Sequence, residues 1–317
     1  MKHNSRNCPL CASTQSQQLA TMDAQQIIQS NTYYDDSLYT KLNIKPNDSF
    51  SISQCTTCQF VFSSSIPSQA FLSSLYETND TAGEARIFAR PDRAAFLFKS
   101  LSTLLTTMAR LQPSQHQKKL RILDIGCAYG VGSLGLAMQH YPYEISGVEL
   151  SESTRNYLEQ QGMTTYRTTE DIPSNQSFDG ILLNDILEHI PEPLNFLEKI
   201  RSISHPNTAI WVNVPNFVDW RLSTIVQQAN SGSTQVPKDF NPWEHLSYFS
   251  PQSLDHALAT IGAHRLHSPT SDYAIRHDSI KECIKTSIRF VRDIMRLHQN
   301  TYFNRNTTTS IYTFTQG

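Results

Sequence analysis

The sequence predicts an α/β fold, a mainly parallel sheet with helices on both faces, preceded by a small cysteine-bearing module. Three observations predict it. Residues 121–150, RILDIGCAYGVGSLGLAMQHYPYEISGVEL, read as strand, tight turn, helix and strand, with Glu149 at the tip of the second strand. Apolar strand-like runs and helix-like stretches then alternate up to residue 215, the pattern of parallel strands joined by crossover helices. Four of the six cysteines fall into two C-x-x-C pairs before residue 60.

Composition bounds the reading. At 317 residues the chain is long enough for one large α/β domain and a smaller one. Charged residues make up 17% and the net charge is −2, so no global basic field is available to hold nucleic acid. Mean hydropathy is −0.40 and no apolar run approaches the roughly 20 residues that span a bilayer. The opening MKHNSRNCPLCAS lacks the apolar stretch of a signal peptide, so a cytoplasmic location is expected. Thiols stay reduced there, and paired cysteines point to metal rather than disulfides.

Taken in order, Cys8-Pro-Leu-Cys11 and Cys55-Thr-Thr-Cys58 each place two thiolates on one side of a tight loop. Two such knuckles complete a tetrahedron around zinc, with no position left for solvent, which describes a structural site. Iron also accepts four thiolates, and a redox C-x-x-C would need a βαβ context that this segment lacks. Phe50–Ser53 and Phe60–Phe62 are β-rich, and residues 1–62 resemble a zinc ribbon, with Ala12 and Gln59 where many ribbons carry glycine. Among the residues between the four cysteines only Lys41 and Lys45 are basic. Residues 63–115 read as a linker and helices, with apolar positions at three- and four-residue steps from Ile87 to Met108.

Residues 116–317 form the main domain. Gly126 and Gly130 permit positive φ and close approach of a ligand to the backbone. The helix after them offers unpaired N–H groups to a carboxylate or phosphate, and Glu149 can accept both hydroxyls of a ribose. Ser151 caps a helix that Gly162 ends, and Tyr166 lies in a third strand. Phe178–Asp185 is the fourth strand, Pro193–Ser202 a helix and Ala209–Pro215 the fifth strand. Residues 216–250 are an aromatic-rich insertion with a Ser231-Gly232-Ser233 centre, a candidate substrate lid. A helix starts at Pro251, and residues 264–275 and 310–315 are candidates for closing antiparallel strands. Between these, residues 279–298 form an amphipathic helix with Lys281, Lys285, Arg289, Arg292 and Arg296 on one side. That side suits solvent, as most such faces do, or else a phosphate-bearing substrate or a membrane surface. Cys127 and Cys283 read as single buried thiols.

The strand–turn–helix layout serves two families, but I-G-C-A-Y-G does not fit the dinucleotide spacing G-x-G-x-x-G. LDIGCAYG resembles instead the first motif of class I S-adenosylmethionine (SAM) methyltransferases, D-x-G-x-G-x-G, with Ala128 at the middle glycine. FDGILLNDILEHIPEPLNFL resembles the fourth-strand motif of the members that act on small molecules and sugars. PWEHLSYFSPQSL matches the family pattern E-H-x-x-Y-F-S before a helix, and the resemblance covers residues 76–317. It implies a Rossmann-like seven-stranded sheet. It also implies SAM contacts from Asp124, Gly126, Cys127 and Gly130, from Glu149 and Leu150, from Asp171 and Ile172 at the adenine, and from Asn184 and Asp185 at the methionine moiety.

Methyl transfer is an in-line displacement at an activated sulfonium methyl, so the enzyme aligns the nucleophile and removes its proton. The resemblance makes His245 the candidate base, with Glu244 beside it and Asp185 near the reacting centre; an anchoring role for His245 stands as the alternative. His189 reads either as a cofactor-side contact or as a tie in its turn. Sugar C-methyltransferases, which also carry an N-terminal zinc module, have Tyr-x-Glu-His here, and Pro242 replaces that tyrosine. The expected acceptor is therefore a small molecule, a nucleotide-linked sugar or glycan precursor, methylated on oxygen in preference to carbon. An RNA methyltransferase reading its substrate through the ribbon and a non-catalytic SAM-binding scaffold are the alternatives.

Overall fold

The computed structural model describes residues 4–31, 34–68, 70–72, 74–75, 104–105, 107–108, 111, 119–130, 143–266 and 307–314. The helix expected after Gly130, most of the 63–115 stretch, the amphipathic helix at 279–298 and Cys283 lie outside the described residues.

The N-terminal part runs β1 (Asn4–Ser5), β2 (Ser16–Asp23), α1 (Ala24–Ser30), α2 (Ser37–Lys41), β3 (Ser49–Cys55), β4 (Val61–Ser63) and β5 (Ser65–Ile66). β2 alternates exposed and buried positions towards its end, and Asp23 then stops it by accepting Gln26 N–H at 2.7 Å, the cap that starts α1. The expected β-rich stretches lie on β3 and β4. β2, α1 and α2 are elements that the sequence pattern did not reveal.

The main sheet is built from β6 (Leu120–Ile125), β7 (Tyr143–Val148), β8 (Thr164–Tyr166), β9 (Phe178–Asn184), β10 (Ser204–Pro215), β12 (Ala263–Arg265) and β13 (Thr307–Phe314). Its order is β12-β13-β10-β9-β6-β7-β8, with β6 to β10 parallel and β12 and β13 antiparallel. This is the expected Rossmann-like seven-stranded, mainly parallel sheet. Between its strands run α3 (Glu152–Gln160) and α4 (Pro193–Ser202). Ser151 accepts Thr154 N–H to open α3, and α4 starts with proline in its first turn.

The period-2 alternation of the strands divides the core. Leu123, Ile125, Ile181, Leu183, Val212 and Val214 face one way, towards a cluster that also takes in Cys8, Cys55, Phe60 and Phe62 of the N-terminal part. Ile122, Leu182 and Trp211 face the other way, where Leu104 and Met108 cover the sheet. The fit there is close: a Cβ on Gly180 would lie 2.5 Å from the Met108 sulfur.

The insertion at 216–250 is folded into the N-terminal part. α5 (Asp219–Asn230) buries Leu222, Ile225 and Ala229 against it, and Gln26 Nε2 donates to the carbonyls of Ala229 and Ser233. β11 (Ser247–Tyr248) pairs antiparallel with β4, giving the second sheet the order β11-β4-β3-β2. Trp243, fully buried, meets the rings of Tyr34, Phe50 and Phe71 at 5.6, 5.6 and 5.8 Å. α6 (Pro251–Thr260) follows, starting at the expected Pro251 and opened by a reciprocal Ser250–Ser253 cap. No helix among the described residues is long and apolar enough to cross a membrane.

Candidate active site

In this sheet the strand order reverses between β6 and β9, and ligands bind such sheets in the crevice at the carboxyl ends beside that reversal. The turn leaving β6 is built for close approach. Gly126 has φ +67°, which strains any other residue, and a Cβ there would run into the Ile186 side chain and force it to shift. Ala128 (φ +46°) and Gly130 (φ +62°) are left-handed as well, so alanine occupies a conformation that glycine adopts without strain. The turn is tied to the next strand: the N–H groups of Gly126 and Cys127 both donate to the Val148 carbonyl. Glu149, at the end of β7, accepts Ala128 N–H at 3.1 Å on one oxygen and Ser151 N–H at 2.9 Å on the other. Leu150 beside it is 58% exposed, an apolar surface held out to whatever lies over the turn. Cys127 is buried, and burial, then Asp124 and Glu149, push its thiol up, which keeps it protonated.

The remaining predicted contacts fall along the same edge. Asp171 lies in the short 3₁₀ turn Thr169–Asp171 after β8; its Oδ2 accepts from the backbone and hydroxyl of Thr168. Ile172 is 3% exposed and packs into the core. Asn184 ends β9 and accepts Trp211 Nε1–H at 2.9 Å. Asp185 follows with φ +53°, its Oδ1 accepting from Asn213 Nδ2 at 2.7 Å and its N–H donating to the Asn213 carbonyl at 2.9 Å.

One step further along this loop, the two sheets meet. The short helix Leu187–His189 brings Glu188 and His189 against His245, and one ligand atom from each of the three lies within 4.8 Å of the others. The imidazole rings stand edge to face, with centroids 4.6 Å apart. His189 Nδ1 meets the Glu244 carbonyl at 2.9 Å and His245 Nδ1 meets the Asp239 carbonyl at 2.6 Å. Carbonyls only accept, so both Nδ1 atoms carry hydrogen, and in a neutral ring the lone pair is then at Nε2. Burial, then His245, pushes His189 down to about 3, so it stays neutral. Burial, then Asp185 and Asp239, holds the Glu188 carboxyl well above the ordinary carboxylate range. Asp239 itself pairs with Arg221 at 2.5 Å.

Of the three expected catalytic residues, the structure places His245 in this cluster and Asp185 within electrostatic reach of Glu188. Glu244 faces elsewhere: it accepts the hydroxyl of Tyr34, which in turn accepts Asn241 Nδ2–H at 2.8 Å. Glu188 and Tyr34 escaped the sequence reading. The Glu-His pair of LEHIP was a signal for the first; Tyr34 is 210 positions from its partner and had none.

The four expected metal ligands do converge. Cys8 and Cys58 sulfurs are 3.6 Å apart, Cys11 and Cys55 sulfurs 3.5 Å, and all four lie within 4.8 Å of one another. The two knuckles repeat one hydrogen-bond pattern: Ala12 and Gln59 N–H return to the Cys8 and Cys55 carbonyls, and Cys8 and Cys55 N–H reach Ser13 and Phe60. Ala12 (φ +59°) and Gln59 (φ +63°) adopt the left-handed backbone that explains the preference for glycine there. Burial raises Cys8 to about 11. At Cys55 burial also raises the thiol, but the N–H groups of Cys58 and Thr57 and the thiols of Cys11 and Cys58 together bring it down to about 6.

An open sheet with a glycine turn and an acidic tip at its reversal point is the layout of class I SAM-dependent methyltransferases. A family model described as a methyltransferase domain matches residues 92–267, more than half of the chain, and the chain belongs to that family. A ubiquinone biosynthesis O-methyltransferase of Actinobacillus pleuropneumoniae serotype 7 is 29% identical over 147 residues, covering 42% of this chain and 61% of that one. Its counterpart in Histophilus somni is 28% identical over 178 residues, covering 50% and 71%. The chain thus spans about three fifths of the length of the first of these relatives. Among solved structures, the plantazolicin methyltransferase BpumL, in complex with a monoazolic desmethylPZN analog and SAH, matches with a TM-score of 0.49 at 15% identity, covering 78% of this chain and 95% of that one.

Proposed function

We propose that this protein methylates a hydroxyl group of a small-molecule acceptor, using SAM held at the carboxyl edge of β6, β7 and β9. One observation carries the reading. His245, with its Nδ1–H given to the Asp239 carbonyl, presents a basic Nε2 next to the loop that leaves the cofactor edge. The residues fit the cofactor: Gly126 and the left-handed Ala128 and Gly130 leave the backbone bare, and Glu149 stands over them with its carboxylate fixed by two N–H groups. Asp124, Cys127 and Leu150 complete that turn, Asp171 and Ile172 would flank the adenine, and Asn184 and Asp185 the methionine part. SAM, when bound, supplies an activated methyl group. What this chain does is orient the acceptor oxygen and take its proton at His245 Nε2.

O-methylation is the activity in the names of the curated relatives, and the Tyr-x-Glu-His group of C-methylating enzymes is incomplete here. The finer reading of the acceptor, a nucleotide-linked sugar or glycan precursor, rests on the LEHIP and EHLSYFS stretches. Cys8, Cys11, Cys55 and Cys58 would hold structural zinc: at about 2.3 Å from a tetrahedral ion, sulfurs stand about 3.8 Å apart, close to the observed 3.5 and 3.6 Å.

Calorimetric titration with SAM and S-adenosylhomocysteine, on wild type and Glu149→Ala, tests the cofactor. A hydroxyl-acceptor panel including nucleotide sugars, run against His245→Ala, tests the chemistry. Binding that Glu149→Ala weakens and transfer that His245→Ala abolishes are expected; a protein that binds neither ligand sinks the reading.

A further inference from the structure

The cluster at the junction of the two sheets contains a problem of charge. Glu188 is 1% exposed, and neither of its carboxyl oxygens has a hydrogen-bond partner among the described residues. Its nearest titratable neighbours are His189, whose Nε2 lies 4.0 Å from Oε1, and His245, with Asp185 and Asp239 beyond them. Of the two arginines near this junction, Arg221 is spent on Asp239 and Arg6 gives its guanidinium to the carbonyls of Ser63, Pro191 and Leu246, while Glu244 faces Tyr34. His189 has its Nδ1–H committed to the Glu244 carbonyl and is held neutral by burial, so what it turns towards Glu188 is the lone pair of Nε2. Two acceptors, the Glu188 carboxyl and His189 Nε2, therefore face each other. An ionised carboxylate in that company would be buried with no side-chain cation or hydrogen bond against its oxygens among the described residues, an arrangement that strongly disfavours the charged form. The cluster must share a proton or a cation, and solvent supplies the proton.

We propose that Glu188 is a positioning residue for the base: its carboxyl keeps a proton at neutral pH and donates it towards Nε2 of His189. The 4.0 Å separation closes by rotation of the carboxyl or through a bridging water. His189 is thereby occupied as an acceptor and stays neutral, and its Nδ1–H holds the Glu244 carbonyl immediately before His245. The proton released when an acceptor hydroxyl becomes a methyl ether then goes to His245 and on to solvent. Glu188 itself neither gains nor loses a proton in the cycle. The inference rests on the reading of His245 as the base, and it deepens it by naming what keeps the second histidine out of the reaction.

Glutamine mimics a neutral carboxyl, with a donor and an acceptor in the same shape, whereas alanine removes both. The experiment is an infrared difference spectrum of full-length wild type against Glu188→Gln at pH 7, with metal content and kcat-against-pH profiles for wild type, Glu188→Gln and Glu188→Ala. Expected are a protonated-carboxyl band in wild type that Glu188→Gln lacks, and partial retention of kcat in Glu188→Gln, roughly a third of wild type, with the pH profile in place. Glu188→Ala should lose about thirtyfold or more in kcat with SAM affinity held. Absence of the acid band overturns the proposal. So does a hundredfold-scale loss in Glu188→Gln with an equivalent of divalent metal beyond that of the thiols, which would make the shared species a cation. If Glu188→Ala does not fold, the infrared band and Glu188→Gln still decide. If wild type transfers no methyl group, the function reading fails, while the band still reports on Glu188.

Discussion

The four-thiol cluster and the Glu188–His189–His245 cluster stand on opposite terms with the chain. Each thiol knuckle is local, two cysteines three residues apart in a loop whose backbone N–H groups return to the first cysteine. The histidine cluster is assembled at long range: Glu188 and His189 come from the end of the β9 loop, and His245 from a segment paired with the N-terminal sheet. The first is a set of soft donors around a point about as wide as a metal cage, the second a set of acceptors whose need is a proton. A local motif binds; a tertiary meeting point tunes. The two are nevertheless linked, because β3 ends in Cys55, pairs with β4, and β4 pairs with β11 two residues after His245.

That link gives the largest expected effect. Stripping metal with a chelator, or Cys55→Ser, should release the N-terminal sheet, since structural zinc sites contribute on the order of 10 kcal/mol to small domains. If the four thiols hold zinc as proposed, methyl transfer should be lost with it. Metal-free protein that melts and turns over like wild type would break the comparison by making the thiols incidental. Next comes Trp243→Ala, which empties the space between Tyr34, Phe50 and Phe71. A loss of about 3–5 kcal/mol is expected from denaturant unfolding. If the thiols alone carried the module, the loss would be under 1 kcal/mol in order of magnitude.

The sequence made one cluster legible and hid most of the other. Cys8, Cys11, Cys55 and Cys58 could be read because the chemistry needs a fixed short spacing. Gly126, Glu149 and the β6–β10 strands could be read because hydrophobic period and turn chemistry are also local. His245 was found through a stretch resembling a family pattern. Its surroundings were not, because which face of residue 188 is buried depends on how β11 pairs, and nothing within a few residues records that. The Ser231-Gly232-Ser233 stretch suggested a lid by composition, yet α5 before it has apolar residues at Leu222, Ile225 and Ala229, the spacing of a packed helix face. Gly and Ser mark where that helix stops. The residues 216–250 were read by their loop and decided by their helix.

The pH dependence of stability separates the clusters further. An unfolded chain protonates His189 below about 6.5, whereas in the fold it stays neutral down to about 3. The unfolded state therefore binds more protons across that window, and this histidine costs stability as pH falls through it. Glu188 works in the other direction. Its raised value means the fold keeps a proton that the unfolded chain releases above about 4.3, so its burden is absent in acid and grows as pH rises. Glu188→Gln should accordingly raise Tm at pH 7 and leave it unchanged at pH 4. A loss of Tm at pH 7 instead would mean that Glu188 is ionised in the fold.

The smallest effect expected is that of Tyr34→Phe. The ring keeps its place against Trp243, but the hydroxyl between Asn241 and Glu244 is gone. About 1–2 kcal/mol of stability should go with it, by analogy with other side-chain hydrogen bonds to carboxylates. The more telling readout is kinetic. Tyr34 holds the Glu244 side chain, and the Glu244 carbonyl holds His189, so the loss should lower kcat while SAM affinity, proposed to rest on other residues, stays constant. Calorimetry beside steady-state kinetics checks the split. Equal losses in both would place Tyr34 in the general stability of the fold; a loss in kcat alone would show the N-terminal sheet contributing to the chemistry of the other.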